Sequence, residues 1–370
     1  MKLIYFTSKR YPSSTADHAF VRSMAEAFTA HLIGDFALYI TGLIPAELID
    51  THTRSLWAPR RLRSLFYFLR IPFFVLSEKY TNADTVFFSN DPYILSSLIW
   101  WKKSIGFKYR VYSDWHMLFN DWKDSYIARG SDYLVSTTEQ LKRLIVEKAH
   151  IPENKVLVAY GGVSLGLFDS VTESSHELRI RLHLPLSVTL VGYVGFYKTM
   201  GMSKGIDTML EALALIADPK VIMVFVGGRN GEIEEYEKVA QDLGVRERVV
   251  FVPAVPASLI PVYQKAMDML VIPYPNQPHF RDYGFPMKVY EYMASKKPIL
   301  YSNLPIMREV LGEVALSFEA GNAQHLAQKI TDSVGQKIDT SLLVSGAYEK
   351  VKNATWLARA GHIISFVLGL

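Results

Sequence analysis

The sequence predicts an α/β protein built from two Rossmann-like domains facing a cleft. Three observations carry that expectation. The chain has 370 residues, too many for one typical core and suited to about two domains. Short apolar runs alternate with segments of helical period along its length, the pattern of a parallel sheet covered on both faces. The alternation then starts afresh near residue 187, after a join around residues 168–178.

In the first series, 3–7 reads as a strand and 8–17 as a polar loop. Phe20, Met24, Phe28 and Leu32 mark a helix. Strands follow at 36–41, 83–89, 109–113, 132–136 and 155–159, with helices at 92–103 and 139–149. Between the second and third strands, Arg54, Arg60, Arg61, Arg63 and Arg70 interleave with apolar residues. Leu62, Leu65, Phe66 and Leu69 share one helical face there. This reads either as a membrane-surface element or as a buried helix with solvated arginines, and Pro72 is expected to interrupt it. In the second series, strands are expected at 188–195, 221–226, 249–252, 269–273, 298–302 and 314–318. Helices are expected from 206 to 216, at 232–243, 259–267, near 304–311 and at 323–334. The final segment, 354–370, is apolar enough to be a helix against the body or a membrane-seeking tail.

Bulk properties narrow the function. About half of the residues are apolar and there is no cysteine, which excludes disulfides and thiolate metal sites. Residues 1–7 read as a buried strand rather than a signal peptide, and no run is long enough to span a membrane. The formal charge of +4 does not argue for nucleic acid. No Gly-x-Gly-x-x-Gly follows the first strand, which disfavours a dehydrogenase.

The most informative stretch runs from Tyr283 to Ala294. Gly284 and Pro286 suit a turn opening a helix, and Met287, Tyr290, Met293 and Ala294 recur at helical spacing. Glu291 then falls within or beside that apolar stripe. A carboxylate there needs a partner. The vicinal hydroxyls of a ribose would supply one, and so would a nearby lysine or arginine. The helix start ahead of it suits a phosphate. Gly195 ends one strand and Lys204–Gly205 precede the next helix, again a geometry for a diphosphate. Gly227, Gly228 and Arg229 follow another strand, where main chain can approach a ligand.

The Pro-x-Lys-x-x-Glu-Tyr-Met-Ala run, followed by Lys297-Pro298-Ile299-Leu300, resembles the donor-binding segment of GT-B glycosyltransferases, in particular the retaining family 4 enzymes. The resemblance is strongest from about 191 to 330. It implies domain 1–170 for the acceptor, domain 171–352 for the nucleotide sugar, and a C-terminal helix, 353–370, returning to the first domain. It implies that Glu291 holds the ribose, that Lys204 grips the diphosphate, and that His116, ending the Val111–His116 strand motif, contacts the transferring sugar. Tyr283, Gly284, Phe285, Lys288 and the main chain around Val255 complete the implied donor site. Two departures stand out. Tyr283 occupies the family's first acidic position, with Asp282 beside it as a substitute, and Phe196 occupies its phosphate-binding arginine position, so Lys198 or Arg229 would have to supply that charge.

The resemblance thus implies a retaining glycosyltransferase. It would move a sugar from a nucleoside-diphosphate sugar to an acceptor hydroxyl, with no cofactor. No Asp-x-Asp motif appears, so no metal is expected either, and the arginines and aromatics of the first half favour a glycan or lipid-linked acceptor, as in envelope polysaccharide or glycolipid assembly. The expected place is the cytoplasm, with peripheral contact at the inner face of the membrane. The alternative is a catalytically weak nucleotide-sugar or glycan-binding protein of the same fold.

Overall fold

In the computed structural model, residues 1–8, 16–32, 35–40, 53–55, 62–229, 231–284 and 287–369 are described. The chain divides into two compact units, residues 1–162 with 356–370, and residues 163–355.

In the first unit, β1 (Lys2–Thr7), α1 (Ala16–His31), β2 (Phe36–Ile40), β3 (Thr53–Ser55), α2 (Arg63–Ser77) and β4 (Thr85–Ser89) come first. They are followed by α3 (Pro92–Ile105), β5 (Arg110–Trp115), α4 (Trp122–Gly130), β6 (Tyr133–Ser136), α5 (Glu139–Ala149) and β7 (Val156–Val158). The strands form one parallel sheet in the order β3-β2-β1-β4-β5-β6-β7. Its central strands are apolar throughout because both faces are covered: Leu3, Ile4, Tyr5 and Phe6 are fully buried, as are Val86, Phe87 and Phe88.

The second unit contains α6 (Leu165–Asp169), α7 (Ser175–Arg181), β8 (Thr189–Val194), the hairpin strands β9 (Lys198–Thr199) and β10 (Met202–Ser203), α8 (Ile206–Leu215), β11 (Val221–Gly228), α9 (Glu232–Asp242) and β12 (Val249–Pro253). It continues with α10 (Ile260–Ala266), β13 (Met269–Ile272), α11 (Lys288–Ala294), β14 (Ile299–Ser302), α12 (Pro305–Leu311), β15 (Leu316–Phe318), α13 (Ala323–Val334) and α14 (Ser341–Lys352). Its parallel sheet has the order β12-β11-β8-β13-β14-β15. The last helix, α15 (Trp356–Leu368), belongs to the first unit, where Tyr133 meets Phe366 edge-on and Arg110 donates to the Val367 carbonyl.

The α/β architecture agrees with the sequence reading, but several elements do not. Helices α4, α6, α7 and α14 and strand β3 were not anticipated, each being short or weakly periodic. Pro72 does not interrupt α2, which runs through it to Ser77. A proline there leaves the carbonyl four residues back without its helical donor. That carbonyl, of Phe68, instead accepts from Trp101 Nε1 at 2.6 Å. Of the expected basic cluster, Arg54 lies in β3 and Arg70 is exposed in α2, while Arg60 and Arg61 lie outside the described residues. Tyr67, Ile71, Phe74 and Val75 face the core. The Leu62, Leu65 and Leu69 stripe instead points outward, with Phe73 and Leu76 continuing it.

Candidate active site

The second sheet reverses direction of winding between β8 and β13, and ligands of open α/β sheets bind at the carboxyl ends of strands flanking such a point. Both strand ends are shaped for close backbone approach. Gly195 follows β8 with φ +141, and Gly205 has φ +87 and lies so near β13 that a Cβ there would sit 1.8 Å from the Pro273 carbonyl oxygen. A Cβ on Gly227 (φ +121) would fall 2.4 Å from the Gly195 carbonyl oxygen. Gly205 and Gly227 are therefore glycines because main chain packs on main chain, whereas a Cβ on Gly195 would meet the Lys288 side chain. Gly228 has a different reason, since a Cβ there would strike Ile233 and Tyr197.

Three ionisable side chains gather at this edge. Lys288, in the first turn of α11, is buried, with Nζ 3.6 Å from the centre of the Tyr193 ring and no hydrogen-bond partner among the described residues. A Cβ on Gly195 would come within 2.7 Å of that Nζ, so the amine occupies the space the glycine leaves. Burial, reinforced by the charge of Lys204, holds Lys288 well below the ordinary lysine pKa. Burial likewise brings Lys204 down to about 8, with the Arg229 charge adding to it. Glu291, one turn further along α11, has its carboxyl raised by burial, partly offset by Lys288 and by Gln264. Gln264 Nε2 donates to Glu291 Oε2 at 3.3 Å. Of the two roles open to Lys288, a place near phosphate or a surface pairing with Glu291, the second does not hold: Lys288 is in the interior, and it forms no salt bridge with Glu291.

Helix α11 is held against β8 by Tyr292. Its hydroxyl accepts from the Val194 amide at 2.8 Å and so caps the end of the strand. Tyr193, Gln264 and Tyr292 were not foreseen as parts of the site. A polar or aromatic residue that acts from beneath a ligand-facing group has no periodic signature. The one available hint was the adjacency of Tyr292 to Glu291.

The remaining candidates sit around this centre. The stretch 196–204 is a β-hairpin rather than a plain loop. Its turn residues, Met200 (φ 51) and Gly201 (φ 78), are both left-handed, as a two-residue hairpin requires. Lys198 on that hairpin is engaged by Glu235 at 2.6 Å, so it is not the free cation the reading sought. Arg229 is better placed. Its guanidinium lies 4.0 Å from the centre of the Phe196 ring, and its charge is felt by Lys204. An arginine from another strand end thus rests on the residue that stands where the family's arginine was expected. Half-buried Val255 follows β12, where Ala254 donates to the Gly228 carbonyl at 3.0 Å.

The turn before α11 also differs from expectation. His279–Tyr283 form a π-helical turn. Gly284 has φ −75, so it is not there for a left-handed backbone. It donates to the His279 carbonyl at 2.6 Å, and a Cβ would collide with that carbonyl and the His279 ring. Tyr283 lies edge-on to His279 at 5.6 Å. Asp282, the expected substitute acid, is paired with Arg281 at 2.7 Å. Phe285 and Pro286 lie outside the described residues. A recess of about 290 Å³ opens beside this loop, lined by Asn276, Arg281, Asn303, Leu304, Glu319 and His325. Neither Lys204 nor Glu291 reaches it, so it is separate from the charged cluster. Among the described residues, no group of three His, Cys, Asp or Glu side chains is arranged to hold a metal ion.

His116 belongs to the first unit and follows β5. Its Nε2 lies 3.0 Å from Asp114 Oδ2, and its ring meets Phe20 edge-on at 4.5 Å. Asp114 Oδ1 accepts from Arg359 of α15 at 2.9 Å. Burial alone would raise the Asp114 carboxyl, but Arg359 and His116 hold it below the usual range.

Residues 189–335 match the family model of glycosyl transferases group 1. The whole chain superposes on GT-B glycosyltransferases of known structure, so it has the GT-B glycosyltransferase fold. One such structure is Anabaena HepE, solved with UDP, at a TM-score of 0.79 and 16% identity, covering 100% of both chains. Another is the lipopolysaccharide outer core galactosyltransferase WaaB, at 0.77 and 14%, covering 100% of this chain and 99% of that one. Among curated relatives, the chain is 26% identical over 259 residues to a D-inositol 3-phosphate glycosyltransferase of Thermomonospora curvata, covering 66% of this chain and 58% of the relative. The chain thus spans about half the length of the curated relatives it matches.

Proposed function

We propose that this protein is a retaining glycosyltransferase that takes its sugar from a nucleoside-diphosphate sugar. One observation carries the reading. Two lysines with depressed pKa values and a half-buried carboxylate converge where the second sheet changes winding direction, on backbone bared by glycines. Such groups are costly without a ligand. A diphosphate would stabilise the charged forms of Lys204 and Lys288, with Arg229 assisting, and ribose hydroxyls would donate to Glu291. HepE has been solved with UDP and with UDP-glucose, which supports a uridine nucleotide as the first donor to try.

In the proposed reaction, the bond between the anomeric carbon and the diphosphate oxygen breaks, and a bond to the acceptor oxygen forms on the same face. The acceptor's proton passes to the departing phosphate. The enzyme needs no nucleophile of its own. It positions both substrates and stabilises the leaving diphosphate. His116 of the first unit would contact the transferring sugar. No metal or cofactor enters the scheme.

The acceptor we favour is a glycan or lipid-linked sugar of the cell envelope, met at a membrane surface. Leu62, Leu65, Leu69, Phe73 and Leu76 form an outward apolar stripe along α2, all more than half exposed, and the surrounding sequence supplies Arg60, Arg61, Arg63 and Arg70. An exposed apolar stripe on a helix whose neighbouring sequence is rich in arginine suits the interface of an anionic bilayer. Among the described residues, no helix is long and apolar enough to cross one.

Thermal-shift screening against UDP, GDP and their sugars, followed by transfer and slow hydrolysis assays, tests the proposal. A nucleotide should raise the melting temperature, and Glu291→Ala should abolish turnover. If nucleotide binds but no sugar is released from any donor, the protein is a binding module of this fold. If no nucleotide shifts the melt, the donor-site reading fails.

A further inference from the structure

We infer that Arg359, from the C-terminal helix, is a positioning residue for His116. Through Asp114 it sets the imidazole with Nε2 as the donor to the carboxylate and Nδ1 as a lone-pair acceptor for a substrate hydroxyl. The inference rests on the proposed role of His116 and adds to it which atom makes the contact.

The geometry is a three-member chain within one compact unit. Arg359 Nη2 donates to Asp114 Oδ1 at 2.9 Å, and Asp114 Oδ2 lies 3.0 Å from His116 Nε2. The Arg359 and Asp114 side chains are 1% and 0% exposed, whereas that of His116 is 34% exposed. Only the imidazole reaches the surface. Phe20 braces both ends of the chain, its ring edge-on to His116 at 4.5 Å and 5.1 Å from the Arg359 guanidinium. Trp356, at the start of α15, meets Phe20 in turn at 5.3 Å.

The chemistry follows from the donor inventory. An ionised carboxylate only accepts, so the proton between Asp114 and His116 sits on Nε2. In a neutral imidazole the other nitrogen then carries the lone pair. That nitrogen is on the ring edge turned away from Asp114, and it can accept from a sugar O–H. A buried ion pair gains little in stability over an apolar contact of the same volume. What this pair does supply is a fixed tautomer at the one exposed member. Without Arg359, Asp114 would be a buried carboxylate with a single partner and would have reason to take up a proton itself.

Histidine ¹⁵N NMR on the full-length protein reads the tautomer directly, with His116→Gln identifying the signal. Wild type should show the Nε2–H form. Asp114→Asn keeps an oxygen for Arg359 but turns an NH₂ toward Nε2, so it should switch His116 to Nδ1–H. It should also lower kcat by roughly 100-fold with little change in donor KM, the scale of a misplaced reacting group. Arg359→Lys keeps the charge and a donor, and should retain the Nε2–H form with less than about a tenfold loss. It also serves if Asp114→Asn folds poorly. An Nδ1–H tautomer in wild type would overturn the inference, as would an unchanged tautomer or unchanged kcat in Asp114→Asn. The tautomer measurement needs no substrate. Should wild type turn over no nucleotide sugar at all, the functional reading falls while the NMR comparison still decides the clamp.

Discussion

Lys204 couples the proposed chemistry to pH. Its folded pKa is about 8 against an ordinary 10.5. An unfolded chain therefore holds this proton over a range in which the folded chain has lost it, and stability from this residue rises with pH between about 8 and 10.5. Nucleotide binding should run the opposite way. The diphosphate favours the ammonium, so affinity for UDP should fall as pH rises above about 8, with a proton taken up on binding. Calorimetry in buffers of different ionisation enthalpy measures both quantities, and Lys204→Met should weaken binding and remove the Lys204 share of the proton uptake. At Gly205 the effect is steric. With φ +87 and a Pro273 carbonyl where its Cβ would go, Gly205→Ala should cost at least about 2 kcal/mol, read from the denaturation midpoint.

Helix α15 shows how much one element can matter. It is the last segment of the chain but belongs to the first unit, and it carries Arg359 into a buried pair with Asp114. Arg359→Met leaves that carboxylate buried with His116 as its remaining side-chain partner, and should destabilise the protein by roughly 3–5 kcal/mol in urea unfolding. Helix α2 was misread in the opposite sense. Proline was expected to stop it, yet the helix continues because Trp101 supplies the donor that Pro72 cannot. That donor lies 33 residues beyond Phe68, whose carbonyl it reaches, further than any local pattern extends.

For the molecule as a whole, the outward stripe of α2 sets a testable expectation. Sedimentation with anionic phospholipid vesicles should deplete the wild-type protein, and Leu69→Ser with Phe73→Ser should abolish that depletion. Both side chains are exposed, so the double variant should unfold within about 0.5 kcal/mol of wild type. Equal vesicle binding by both proteins would refute a membrane role for this face.

The sequence alone was enough for the alternating α/β architecture, the resemblance at 283–300, and Lys204, Glu291 and His116 as candidates. Each of these is a local pattern: a period, a turn residue, or a run of types at fixed spacing. Tertiary structure decided that Lys288 is buried beneath Gly195, that Gln264 holds Glu291, that Lys198 is already paired, and that Gly284 is small for the sake of the His279 carbonyl. It also decided which face of α2 meets solvent and which residue steadies Asp114. Those outcomes depend on which side chains the fold brings within about 4 Å of one another, often from opposite ends of the chain, and spacing along a sequence does not carry that information.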